Sequence, residues 1–163
     1  MSLVILPVLL GCSTHMTKKY NYNDVTREYS WGRLEAKLTG TMSTVDGNDI
    51  VGSPYELLLW FYPSSSKCYQ ITIRSIQIID QAGNIAYVKN GENKKGYTNN
   101  KSSSIFFMYD NIVLEYKNYN LILNCEIKDN KNVINHSHKI HLKFIKNYQE
   151  SRSFLLWDRL MSV

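Results

Sequence analysis

Several runs between residues 33 and 146 place apolar side chains at every second position, and no other feature constrains the fold as much. In Arg33-Leu34-Glu35-Ala36-Lys37-Leu38-Thr39-Gly40-Thr41-Met42 the even positions are apolar or small and the odd ones polar. Leu121, Leu123, Cys125 and Ile127 form one face, with Asn124, Glu126 and Lys128 on the other. Ile140, Leu142 and Phe144 alternate in the same way with Lys139, His141 and Lys143. Successive side chains of a strand point to opposite faces, so these runs are strands with one dry and one wet face. Tyr55 to Tyr62 is nearly all apolar and too short for a typical helix, which predicts a strand buried on both faces. Tyr69, Ile71 and Ile73 share one parity, while Ile76 and Ile78 take the other. A phase change around Arg74-Ser75 is what a β-bulge or a sheet-switching bend produces.

The punctuation supports the same class. Residues 43–54, with Asp46-Gly47-Asn48-Asp49 and Gly52-Ser53-Pro54, read as loop. Pro63-Ser64-Ser65-Ser66 ends the apolar strand, and Asp80-Gln81-Ala82-Gly83-Asn84 turns the chain into a strand over 85–88. Residues 105–109 and 112–116 flank Asp110-Asn111 as a short hairpin candidate. Seven to nine short strands at fairly even spacing predict an all-β fold, a single antiparallel β-sandwich of immunoglobulin or transthyretin-like kind. At the end of the chain, residues 154–163 place Phe154, Leu156, Trp157, Leu160 and Met161 on one broad half of a helix. Ser151 or Ser153 would cap it, so a short C-terminal helix packed on the sandwich is expected.

The first dozen residues are of another kind. Met1-Ser2-Leu3-Val4-Ile5-Leu6-Pro7-Val8-Leu9-Leu10-Gly11-Cys12 is an apolar run that breaks to Ser13-Thr14-His15. It has the look of a secretory h-region and is too short to span a bilayer as a helix. Leu9-Leu10-Gly11-Cys12 resembles the lipobox of bacterial lipoproteins. The resemblance covers about a dozen residues. It implies cleavage before Cys12, acyl chains on the Cys12 thiol and amine, and, with Ser13 next, sorting to the outer membrane. Each buried methylene contributes about 0.8 kcal/mol, so two or three acyl chains would hold the protein on its membrane essentially permanently. The expected organisation is a signal peptide over 1–11, a polar lipidated tether over 12–30 and a β-sandwich over 31–163.

Composition narrows the partners. Hydrophobic content of 44% and only three prolines exclude a disordered chain. The net charge of +5 is spread along the sequence with acidic residues between the basic ones. Lys89, Lys94, Lys95 and Lys101 come nearest to a cluster, in an Asn/Gly/Ser-rich stretch that reads as an exposed loop. No nucleic-acid module is visible, so nucleic acid is not an expected partner. Twelve tyrosines suit either strand packing or a carbohydrate platform. With Cys12 taking lipid, Cys68 and Cys125 remain as an even pair in an oxidising compartment. A bridge between them would contribute about 4 kcal/mol in the chain-entropy model. The alternative is two separate thiols, Cys125 being a small buried hydrophobe.

Candidate chemistry is sparse. His136-Ser137-His138-Lys139-Ile140-His141 is the one histidine cluster. On a strand His136 and His138 share a face and His141 points away, so three imidazoles fail to converge on a metal unless the segment bends. No serine sits in Gly-x-Ser-x-Gly or Ser-x-x-Lys, no carboxylate pair is marked by spacing, and no Gly-rich phosphate loop is present. The sequence therefore predicts no enzyme and no cofactor. It predicts a membrane-anchored module that binds a protein partner or envelope component, as an accessory subunit of an envelope or secretion assembly. The rivals are an inhibitor or immunity-type protein of the periplasm and a small metal-dependent hydrolase using His136, His138 or His141.

Overall fold

The structure, a computed structural model, describes residues 14–64, 69–97, 104–129 and 136–154. These residues form ten strands and no helix. The strands are β1 (Thr14–Tyr22), β2 (Val25–Tyr29), β3 (Gly32–Val45), β4 (Asn48–Pro63), β5 (Tyr69–Asp80), β6 (Ile85–Tyr97), β7 (Ile105–Ile112), β8 (Tyr119–Asp129), β9 (His136–Phe144) and β10 (Lys146–Phe154). They build two sheets. One runs β10-β1-β4-β3-β2 with β7 also on β4, and the other runs β6-β5-β8-β9. One edge of β4 pairs with β3 along its length. Its other edge is divided, with residues 49–51 on β1 and residues 55–61 on β7.

The alternating positions do what their period demands. Leu34, Ala36 and Leu38 of β3 are buried, as are Leu57, Leu59 and Phe61 of β4. From the second sheet Ile71, Ile73, Ile76 and Ile78 of β5, with Leu121, Leu123, Cys125 and Ile127 of β8, enter the same core. The change of parity in β5 is a bulge, with a register shift between Ile73 and Ser75 against both neighbours. An extra residue there lets the strand keep its isoleucines inward on both sides of the bend. Gly96 of β6 runs close under β7, where a Cβ would lie 2.2 Å from Ile105 Cγ2. Lys94 Nζ donates to the Met108 carbonyl at 2.9 Å along the same seam.

Several expectations are corrected. Most of the segment expected as a tether is folded: β1 pairs with β10 from Thr14 to Tyr22 and β2 pairs with β3. The pairing of β1 with β4 is parallel, so the first sheet is mixed rather than purely antiparallel. Residues 43–54 are not loop except at the turn, since β3 and β4 form one long hairpin turning at Asp46-Gly47, both with positive φ. Asp110-Asn111 does not reverse the chain. Asn111 takes φ of 55° and β7 continues to Ile112, opposite Tyr55. Lys89, Lys94 and Lys95 belong to β6 rather than a loop, and Lys101 lies outside the described residues. The expected helix over 154–163 also lies outside them, apart from Phe154, which is the last residue of β10.

A tyrosine cluster explains why the polar β1 folds onto the domain. Tyr22 is buried with its ring centroid 5.3 Å from Tyr55, 5.8 Å from Tyr116, 6.3 Å from Tyr119 and 6.2 Å from Phe144. Tyr20 adds contacts to Tyr116 and Tyr148 at 5.2 and 5.1 Å. Two of these rings set their hydroxyls on backbone oxygens: Tyr55 Oη donates to the Tyr20 carbonyl at 2.9 Å and Tyr119 Oη to Glu115 O at 3.1 Å. Burial holds the Tyr22 phenol un-ionised far above its ordinary range and pushes Tyr55 up to about 12. The tyrosines in this cluster are packing between the two sheets, which their amphipathic rings serve well.

Candidate binding surface

On the outer face of the first sheet the side chains between the core positions come together in rows. Across β3, β4 and β7 the register sets Glu35, Trp60 and Phe106 side by side, with Lys37, Leu58 and Met108 in the next such row. Their strand neighbours Leu57, Leu59, Phe61, Phe107 and Tyr109 are buried, so this row must point outward. Phe106 is 49% exposed and Met108 46%, while Leu58 and Trp60 are half-buried. Trp60 and Phe106 lie 5.2 Å apart, ring to ring. Tyr55 to Tyr62 is therefore buried on one face only, and its second face carries an apolar patch in solvent contact.

Charged groups border this patch in fixed positions. The Arg33 guanidinium lies over the Tyr62 ring at 4.5 Å, and its Nη2 is 3.1 Å from Glu35 Oε1. Tyr62 Oη donates to Glu35 Oε2 at 3.2 Å. Burial, and then the hydrogen bond to the carboxylate, pushes the Tyr62 phenol upward. Lys37 reaches Asp24 at 3.5 Å on the side toward β2. An aromatic and methionine centre with an arginine-bearing polar rim has the composition of a protein-recognition surface.

His138 and His141 do not converge. His138 faces inward opposite Cys125, half-buried with its ring 6.2 Å from Trp31. His141 stands on the opposite face, paired with Ile122 and exposed. His136 begins β9 opposite Ile127, on the parity of His138. Among the described residues no group of three His, Cys, Asp or Glu side chains is placed to hold a metal ion. Cys125 is a free, buried thiol, and burial pushes it up to about 12. It lies opposite Ile73 of β5. Cys68, its expected bridge partner, and Cys12 both lie outside the described residues.

Among the described residues a cleft of about 250 Å³ is lined by Asp80, Asn84, Ile85, Glu115, Lys117 and Tyr119 among others. The Asp80 carboxylate accepts the Ala82 and Asn84 amides at 2.9 Å each and Asn84 Nδ2 at 3.0 Å. Those bonds, the Asn84 side chain first, hold it below the usual carboxylate range. It is a turn-forming group whose lone pairs serve its own backbone. Lys117 is engaged by Glu115 in the same wall.

Sequence reading passed over the outward row because apolar residues on both parities look like burial on both faces. The available signal was Phe106 and Met108, large apolar residues out of phase with Ile105, Phe107 and Tyr109. Comparison with known proteins adds little. No family model matches the chain, and no curated protein matches it. A solved structure described as "X-ray structure of Northeast Structural Genomics Consortium target SoR45" is similar over 82% of this chain and 84% of its own, with 8% identity and a TM-score of 0.40.

Proposed function

We propose that this protein is a bacterial lipoprotein, anchored through Cys12 to the outer membrane and facing the periplasm. Its two sheets form a β-sandwich of the immunoglobulin or transthyretin-like kind that works as a non-catalytic binding module of an envelope or secretion assembly. The lipobox-like Leu9-Leu10-Gly11-Cys12 supports the address. The observation that carries the binding role is the outward row of Leu58, Trp60, Phe106 and Met108, bordered by Arg33, Glu35 and Tyr62. Exposed aromatic and methionine side chains gathered on one sheet face mark interaction surfaces, and truncating such central residues costs binding most.

Two measurements test the reading. Cys12→Ala should abolish acyl labelling and release the protein from membranes; labelling that survives the substitution refutes the anchor. Capture from detergent-solubilised membranes should then compare the intact protein with Trp60→Ser/Phe106→Ser. The substituted positions are outside the core, so the variant should keep its circular dichroism spectrum. It should lose one or a few specifically held envelope proteins. Retention of every captured protein by the folded variant would overturn the assignment of this surface.

A further inference from the structure

We propose that the projecting β3–β4 hairpin is the part of this domain that rests on the lipid surface, a proposal that depends on the lipoprotein reading above. Only Ser13 separates Cys12 from Thr14, the first residue of β1. An extended chain covers at most about 3.6 Å per residue, so acyl chains on Cys12 would hold Thr14 within roughly 7 Å of the headgroups. The start of β1 is in turn fastened to the hairpin. Met16 N–H donates to Asn48 Oδ1 at 3.2 Å, and His15 Nε2 lies 3.0 Å from Asp49 Oδ2. Thr17 pairs with Asp49, and Phe154 at the end of β10 pairs with Thr14. The anchor position, the hairpin and the end of β10 therefore share one end of the molecule.

The hairpin is built differently from the rest of its strands. Leu34, Ala36, Leu38 and Gly40 are buried, but past the register shift between Gly40 and Thr41 residues 42–45 are exposed. The ribbon thus runs beyond the hydrophobic core. Met42 is 71% exposed and Val45 50%, both large apolar side chains in solvent on this ribbon. Three residues apart on one strand, they lie on opposite faces, Met42 beside Val51 and Val45 beside Asn48. Each face of the ribbon offers one exposed large apolar group to a surface approached end-on. Asp46 at the tip, with Asp49 engaged by His15 and Thr44, keeps such contact at headgroup depth rather than in the hydrocarbon. In this pose Trp60, which lies opposite Glu35, stands about 33 Å up the strand from Val45, open to a partner in the aqueous space.

The test uses the acylated full-length chain in vesicles of phosphatidylethanolamine and phosphatidylglycerol. In a Cys68→Ser background, nitroxide labels are attached to Met42→Cys, Val45→Cys and, at the far end of β3, Ser30→Cys; Cys125 is shielded by burial. All three labelled positions are exposed. Collisions with a water-soluble nickel chelate should fall several-fold at residues 42 and 45 on vesicle binding and stay unchanged at residue 30, while collisions with oxygen rise at 42 and 45. Acyl chains confirmed on Cys12, with labels at 42 and 45 as open to the chelate as the label at 30, would overturn the proposed contact and leave the anchor standing. Absence of acyl chains from Cys12 would overturn the lipoprotein reading, and this proposal with it.

Discussion

Replacing Tyr22 by alanine asks whether the first described strand belongs to the folded domain or merely leads to it. Tyr22 is 3% exposed and touches rings from both sheets: Tyr55 of β4, and Tyr119 and Phe144 of β8 and β9. Truncating a buried aromatic side chain to alanine costs about 3–5 kcal/mol, from lost burial and the cavity left behind. The phenol itself contributes little. Its hydrogen bond to the Glu115 carbonyl is long, at 3.4 Å, so Tyr22→Phe should cost less than about 1 kcal/mol. With a urea dependence of about 2 kcal/mol per molar, Tyr22→Ala should lower the urea midpoint by about 2 M and Tyr22→Phe by no more than about 0.5 M. Equilibrium unfolding followed by far-ultraviolet circular dichroism measures both. An alanine midpoint within about 0.3 M of the parent would refute the argument, because a tether outside the core is the only arrangement in which that ring is expendable.

Three further outcomes follow from particular contacts. The Cys125 thiol should resist modification in the native protein and react on unfolding, reductant should leave the melting temperature unchanged, and Cys125→Val should alter stability by less than about 1.5 kcal/mol; rapid native labelling would contradict this. The His15–Asp49 pair should show a pH window. Its hydrogen bond raises His15 above the ordinary 6.5, so that contribution is complete below 6.5 and fades as pH climbs through the raised value. The same bond lowers Asp49 below 3.8, so its contribution is complete above 3.8 and fades in acid. The melting difference between the parent and His15→Ala should therefore be largest near about pH 5 and shrink toward about pH 8; a difference that grows with pH would be the wrong sign. Finally, a Cβ on Gly40 would lie 2.6 Å from the Gly52 Cα and amide nitrogen, so Gly40→Ala should cost about 1–3 kcal/mol, whereas Gly52→Ala, whose Cβ meets the Tyr20 ring at 3.7 Å, should be close to neutral by chemical denaturation.

Where a strand has one dry face and one wet face, its period announces it. The inward sets of β3, β8 and β9 and the bulge in β5 are read directly from Leu34 to Leu38, Leu121 to Ile127, Ile140 to Phe144 and the isoleucine phase change. The strands that were missed lack that contrast. β1 reads Thr-His-Met-Thr-Lys-Lys-Tyr-Asn-Tyr and β10 reads Lys-Asn-Tyr-Gln-Glu-Ser-Arg-Ser-Phe, and each pairs with the other. Their stability comes from ladder hydrogen bonds and from the packing of a few tyrosine rings, Tyr20, Tyr22 and Tyr148, which leaves no alternation to detect. Residues 43–54 were read as loop for a related reason. Past Gly40 the ribbon leaves the core, both faces meet water, and the glycines and aspartates that suit its turn and bulge dominate the composition.

The outward apolar patch escaped the sequence for the opposite reason, an excess of apolar signal. Leu58 and Trp60 alternate with Leu57, Leu59 and Phe61, and a run apolar on both parities is what a strand packed between two layers displays. Whether the second parity meets another layer of the same chain or the surrounding solvent depends on how many layers the topology supplies. Here it supplies two sheets, both spent on one core, and the described residues contain no helix to cover the far side of β4. Trp60, Phe106 and Met108 are then left with each other and with a border of charge. Leaving large apolar side chains at the surface forgoes about 1.5–3 kcal/mol for each that could have been buried. Under the proposed binding role, a partner covering them would recover that free energy on association, and the same residues would be a cost to the isolated domain and a source of affinity in the complex.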